Sequence, residues 1–270
     1  MARLGPPHWR KYPAAKRYAE LLAVDAQAAT RGAYLHARLI ASDLHALGIT
    51  VDCAPVADVP VAGSHDIIGD RAYGTNPQHV ATLARAAADG LMDGAVIPVV
   101  KHIPGHGRAL VDSHEDLPVV SADLKELEAN DFEAFRLLAD LPMAMTAHVV
   151  YEALDVAKPA TLSRTVIEVI RKRIGFDGLL MSDDLSMKAL KGDFAALTQG
   201  ALDAGCDVVL HCNGKMAEME PIAKAAGQMS DKALARAQQA WERIKAPKTF
   251  DIVRAEQEWS GLMAQDRLSA

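Results

Sequence analysis

The sequence predicts an α/β fold organised around a parallel sheet, and three observations predict it. Five short apolar runs recur along the chain, amphipathic stretches separate them, and each run ends in polar residues able to do chemistry. Parallel neighbours need a crossover, and a helix is the usual one, so this alternation means a parallel sheet, open or closed as a barrel. The runs are TVDCAPV from Thr50, AVIPVV from Ala95, LPMAMTA from Leu141, DGLLMS from Asp177 and CDVVLH from Cys206. Short apolar runs of this kind fit strands covered on both faces. Between them, ATLARAAADGLMDG, ADLKELEANDFEAFRLLAD and RTVIEVIRKRI carry apolar residues at helical spacing, with Ser121 and Ser163 where N-caps belong. Beyond about Lys224 the chain becomes rich in Ala, Gln and charge with no further strand. Residues 225–270 are therefore expected to be terminal helices covering the sheet, within a single domain over 1–270.

Composition narrows the class of partner. The chain has 270 residues, half of them hydrophobic, enough for one substantial core. A net charge of −6 and only 5% aromatic residues argue against a nucleic-acid surface, which needs a basic stripe or stacking platform. A small molecule is the expected partner. Cys53, Cys206 and Cys212 lack CxxC spacing and lie in or beside apparent strands, so they read as reduced core residues in a cytoplasmic protein. No run approaches the ~20 apolar residues of a membrane span, and Arg3, Arg10, Lys11 and Lys16 precede no signal-peptide core.

The chemistry concentrates in KHIPGHGRALVDSHEDLP, from Lys101 to Pro118, which holds three of the ten histidines directly after an apolar strand. Parallel sheets place ligands at the carboxyl ends of their strands. Pro104, Gly105 and Gly107 prevent a helix there and keep the polar side chains exposed. Asp112 lies two residues before His114, close enough to orient the ring and favour imidazolium, so His114 can donate a proton near neutrality and take one back. A surface histidine beside a turn-forming aspartate is the plainer reading of that pair. MSDDLSM from Met181 ends a strand with paired carboxylates, one of them a candidate nucleophile, or else an Asx turn capping the next helix. Lys101, His102 and Arg71 can donate hydrogen bonds to hydroxyls. Other rim candidates are Asp58, His148, Asp184, His211 and Asn213. A zinc site built from His102, His106, Asp112 and His114 is an alternative, although the spacing fits no helix-borne pattern.

KHIPGHGRALVDSHEDLP, followed in order by AMTAHVVY, GFDGLLMSDDLSM and AGCDVVLHCNG, resembles glycoside hydrolase family 3, in particular the bacterial cytoplasmic β-N-acetylglucosaminidases of peptidoglycan recycling. The resemblance runs from Ala2 to about Asn213. It implies a TIM-type (β/α) barrel and a retaining exo-glycosidase that releases terminal N-acetylglucosamine through a covalent glycosyl-enzyme. It puts the nucleophile on Asp183 and the proton donor and acceptor on His114, oriented by Asp112. Lys101, His102, Arg71 and Arg3 would hold the terminal sugar, with Asp184 a structural neighbour. The implied substrate is an N-acetylglucosamine–anhydro-N-acetylmuramic acid fragment, with no cofactor or metal and no nucleic acid or membrane partner. A related β-glycosidase such as a β-glucosidase, or an inactive sugar-binding remnant, remains an alternative.

The family's barrel has eight strands, and the five runs match its last five. The chain is thus expected to lack the first three strands and a sugar-binding aspartate among them, and to leave unpaired edges after Thr50 and before His211. A natural start upstream of Met1, with Met1 at a valine-like position read as initiating, would account for this.

Overall fold

The computed structural model of the chain describes residues 5–264. Helix α1 (Lys16–Leu22) and the long helix α2 (Ala26–Ala46) come first, then strand β1 (Val51–Asp52), helix α3 (Pro77–Asp93) and strand β2 (Ile97–Ile103). A short strand β3 (Val119–Val120) leads into α4 (Leu124–Ala129) and α5 (Asp131–Arg136). After these come β4 (Met143–Thr146), β5 (Val150–Tyr151), α6 (Arg164–Val169) and β6 (Leu179–Asp184). Helix α7 (Phe194–Ala204), strand β7 (Val208–Leu210) and helices α8 (Met216–Ala226), α9 (Asp231–Glu242) and α10 (Ile252–Met263) complete the order.

All five apolar runs contribute strands, and these lie in the order β1-β2-β4-β6-β7 with every pair parallel. The sheet is open: β1 and β7 stand at its two ends. The side-chain period of two sorts each strand onto two faces. Val100, Ala144 and Leu180 join the main core under the helices. Ile97, Val99, Met143, Met145, Leu179 and Met181 form a second cluster on the opposite face, with Ala237, Ala240 and Ile244 packed against it. Each such buried apolar side chain is worth about 1.5–3 kcal/mol. β3 and β5 form a separate parallel pair that the sequence pattern did not announce.

Helix starts follow capping chemistry. Ser163 caps α6, accepting from the Val166 N–H at 3.2 Å. Ser121 does not cap the helix that follows it, because Asp123 accepts from the Glu126 N–H at 2.8 Å and starts α4 there. The single helix expected over 122–140 is two, meeting at Asn130, whose backbone leaves the helical region at φ −121°. The break sets buried Asp131 to accept from Arg108 Nε at 2.6 Å, an ion pair that local periodicity does not encode. On α3, Gly90 lets α2 approach closely: a Cβ there would lie 2.4 Å from the Tyr34 carbonyl oxygen. Of the three cysteines, all free, Cys206 is buried, Cys53 half-buried and Cys212 exposed. The core reading therefore fails for Cys212, which lies on the loop beyond β7. No helix among the described residues is long and apolar enough to cross a membrane.

Candidate active site

The strand rows that build the second cluster also deliver the site. Two residues beyond Val99 on β2 comes Lys101, and two beyond Met181 on β6 comes Asp183, so both continue that row past the apolar layer. A register irregularity between Lys101 and Ile103 then interrupts the alternation of β2. Irregularities of this kind re-aim side chains. His102 beside it brings its Nε2 to 3.9 Å from Asp183 Oδ2, beyond hydrogen-bonding distance but within ion-pair range.

Behind His102 lies Asp58, fully buried. Its carboxylate accepts from His102 Nδ1 at 2.7 Å, from the His102 backbone N–H at 3.2 Å and from the His106 backbone N–H at 2.6 Å. Burial by itself would raise this carboxyl, but the charge and hydrogen bond of His102, with His106, hold it below the usual range. A carboxylate only accepts, so the His102 proton sits on Nδ1 and its orientation is set from behind. Asp183 is governed the same way. Burial pushes its carboxyl up, and His102, His148, the Asp184 N–H and Lys101 bring it below its ordinary value. The Asp184 N–H reaches Asp183 Oδ1 at 2.8 Å. Asp183 is therefore ionised at neutral pH, with its side chain partly open to solvent.

His148 is buried, and burial lowers its pKa. Its Nε2 lies 3.1 Å from the Asp184 carbonyl oxygen, which can only accept, so Nε2 carries the proton and Nδ1 accepts from the Thr161 hydroxyl at 2.8 Å. The carboxylate of Asp184 is committed to the turn after β6, accepting from the Ser186 N–H and hydroxyl and from the Cys212 N–H at 2.7–3.1 Å.

The loop after β2 is anchored where it leaves the strand. Gly107 passes so close to Val59 that a Cβ would meet its carbonyl oxygen at 2.1 Å. Arg108 is held by Asp131 and by Glu126, at 2.7 Å. Further on, His114 Nδ1 lies 2.8 Å from Asp112 Oδ1, which also accepts the His114 backbone N–H at 2.8 Å. The His114 side chain is 59% exposed.

The structure thus gathers His102 and Asp183 at the strand ends, with Lys101 close enough to act on Asp183, and it pairs Asp112 with His114. It gives His114 no direct contact with Asp183 among the described residues. Arg71 donates to the Ile67 carbonyl at 3.1 Å and lines, with Lys101, Cys53 and Tyr73, a cavity of about 890 Å³ beside β1. Arg3 lies outside the described residues. The alternative zinc ligands are dispersed, His102 on Asp58, His106 on Ser113 and His114 on Asp112. Among the described residues, no three such side chains are placed to hold a metal ion. Sequence reasoning listed Asp58 and His148 at the rim but gave them no task. The available signal was their shared place, one to three residues past an apolar run.

The chain is similar to known proteins over most of its length. The profile of the glycosyl hydrolase family 3 N terminal domain matches residues 12–246. A beta-hexosaminidase of Thiobacillus denitrificans is 40% identical over 191 residues, which make up 69% of this chain and 53% of that protein. Native NagZ from Neisseria gonorrhoeae aligns with a TM-score of 0.82 at 32% identity, covering 94% of this chain and 76% of the other. The same protein in complex with N-trifluoroacetyl-D-glucosamine aligns at 0.81 with the same identity and coverage. The chain spans 53–61% of the length of the first curated relatives it matches. With the family profile matching residues 12–246, the chain belongs to glycosyl hydrolase family 3.

Proposed function

We propose that this chain carries the catalytic centre of a retaining exo-β-N-acetylglucosaminidase acting on peptidoglycan fragments. The observation that carries the reading is Asp183: a carboxylate at the carboxyl end of a central strand, kept ionised by His102, His148 and Lys101 and partly open to solvent. A nucleophile needs these properties. Asp183 attacks the anomeric carbon while His114, oriented by Asp112, gives its proton to the departing glycosidic oxygen. A glycosyl-enzyme forms. His114 then takes a proton from water, which releases the sugar with retained configuration. Lys101, His102 and Arg71 hold the hydroxyls of the terminal sugar, with Arg3 expected beside them. N-acetylglucosamine as that sugar is supported by the beta-hexosaminidase relatives and by the NagZ complex with an N-acylated glucosamine.

In this reading the five parallel strands are part of a TIM-type barrel, and residues 225–264 cover it within the same domain, while residues 265–270 of the expected terminal segment lie outside the described residues. The free thiols fit a reducing compartment such as the cytoplasm. The test is hydrolysis of 4-nitrophenyl β-N-acetylglucosaminide against the matching β-glucoside, with NMR of the first sugar released. Preference for the N-acetylated substrate and initial appearance of the β-anomer are expected. Preference for the glucoside would move the substrate assignment, and initial α-anomer would exclude retention.

A further inference from the structure

His106 has no part in the steps above, yet it is 3% exposed and sits at the β2 end of the loop that carries the proposed acid and base. Its Nε2 lies 3.0 Å from the Ser113 hydroxyl, and its Nδ1 has no hydrogen-bonding partner among the described residues. The ring therefore makes its hydrogen bond to Ser113. Ser113 is as buried as His106, at 3%, although it stands between half-buried Asp112 and exposed His114. It is the one buried point in the run from Leu110 to Leu117. Its carbonyl also accepts from the Ala189 N–H at 3.2 Å, and the next loop residue, Glu115, meets Lys188 Nζ at 2.5 Å. Lys188 and Ala189 follow the turn that begins at Asp183 and Asp184, so Ser113 ties the loop to β2 through its side chain and to the segment after β6 through its backbone.

We propose that His106 is a positioning residue for the acid–base loop: its bond to Ser113 sets where Asp112 and His114 stand relative to Asp183. The inference rests on the roles assigned above to Asp183 and His114. The same buried carboxylate, Asp58, accepts from the His106 backbone and from both nitrogens of His102 that face it. One fixed group thus orients the His102 ring beside the nucleophile and holds the backbone of His106, whose ring lies beneath the acid–base loop. The rings of His102 and His106 meet edge to face at 5.7 Å.

Two readouts on the full chain test this. Amide hydrogen exchange across residues 109–117 should rise about tenfold in Ser113→Ala, the weight of one hydrogen bond, and stay near the parent rate in Ser113→Thr, which keeps the hydroxyl. In the same variant, kcat/KM on an alkyl β-N-acetylglucosaminide should fall about tenfold, and far less on the 4-nitrophenyl glycoside, whose good leaving group needs little proton donation. Unchanged exchange, equal losses on both glycosides, a gain in activity, or no rescue by threonine would each overturn the proposal. A parent chain that cleaves neither glycoside removes the glycosidase reading instead, and exchange in Ser113→Ala still decides whether His106 holds the loop.

Discussion

Asp183 sits on a central strand among buried groups whose hydrogen bonds lead back into the sheet, whereas His114 sits on an exposed loop and is bonded to Asp112 two residues away. The strand site is assembled from distant parts of the chain. Asp58 follows β1, His102 ends β2, His148 lies just beyond β4, and β6 presents the carboxylate they serve. The loop site is assembled locally, and among the described residues Ser113 connects it to the interior. A nucleophile gains from being held ionised in one place, because its attack geometry tolerates little displacement. A proton donor and acceptor must meet the leaving group and then water, which an exposed loop allows. The difference teaches that the sheet sets charge and position while the loop supplies access.

Removing the proposed reacting groups should produce the largest effects and separate the two regions. Asp183→Ala should lower kcat at least about 10³-fold on every glycoside, since the proposed nucleophile has no substitute. His114→Ala should lower kcat/KM about 10²-fold on alkyl glycosides but only slightly on aryl ones. Equal losses in His114→Ala for both leaving groups would break the comparison.

Stability should divide along the same line. Asp58→Ala strips a buried histidine and two backbone N–H groups of their acceptor and should cost about 3–5 kcal/mol in urea unfolding. Asp112→Ala should cost about 1 kcal/mol or less, because its partner is exposed. Similar costs at the two aspartates would mean that the loop is built into the core after all.

Acidification supplies a smaller, sharper test. Burial holds the His106 imidazole down to about 4, with the neighbouring His102 adding to the effect. Between an ordinary histidine value of about 6.5 and this one, the unfolded chain takes up a proton that the folded chain refuses. The contribution of neutral His106 is thus fully present above the unfolded value and is lost as pH falls. The stability difference between the parent and His106→Gln should shift against the parent by about 3 kcal/mol between pH 7 and pH 4. A pH-independent difference would show that His106 is free to charge in place.

Much of the frame was legible in one dimension. Continuous apolar runs locate the strands because a strand covered on both faces cannot alternate, and the polar residues that end them mark the rim. Asp183 and the Asp112–His114 pair are visible because their chemistry is local in sequence. Less visible were α2, whose small residues let α1, α3 and α10 pack closely around it, and the break at Asn130, which serves an ion pair with Arg108. Asp58 looked like any polar residue after a strand, since its partners lie 44 and 48 residues away.

By itself, then, the sequence determined the strand runs, the parallel sheet and the residue types available at its rim, because these follow from hydrophobic period and local chemistry. Only the tertiary structure decided that His102 turns toward Asp183, that Asp58 stands behind it, and that Ser113 is buried under an exposed loop. Each of these depends on register and on contacts between distant segments, and a one-residue change of register redirects every side chain in a strand.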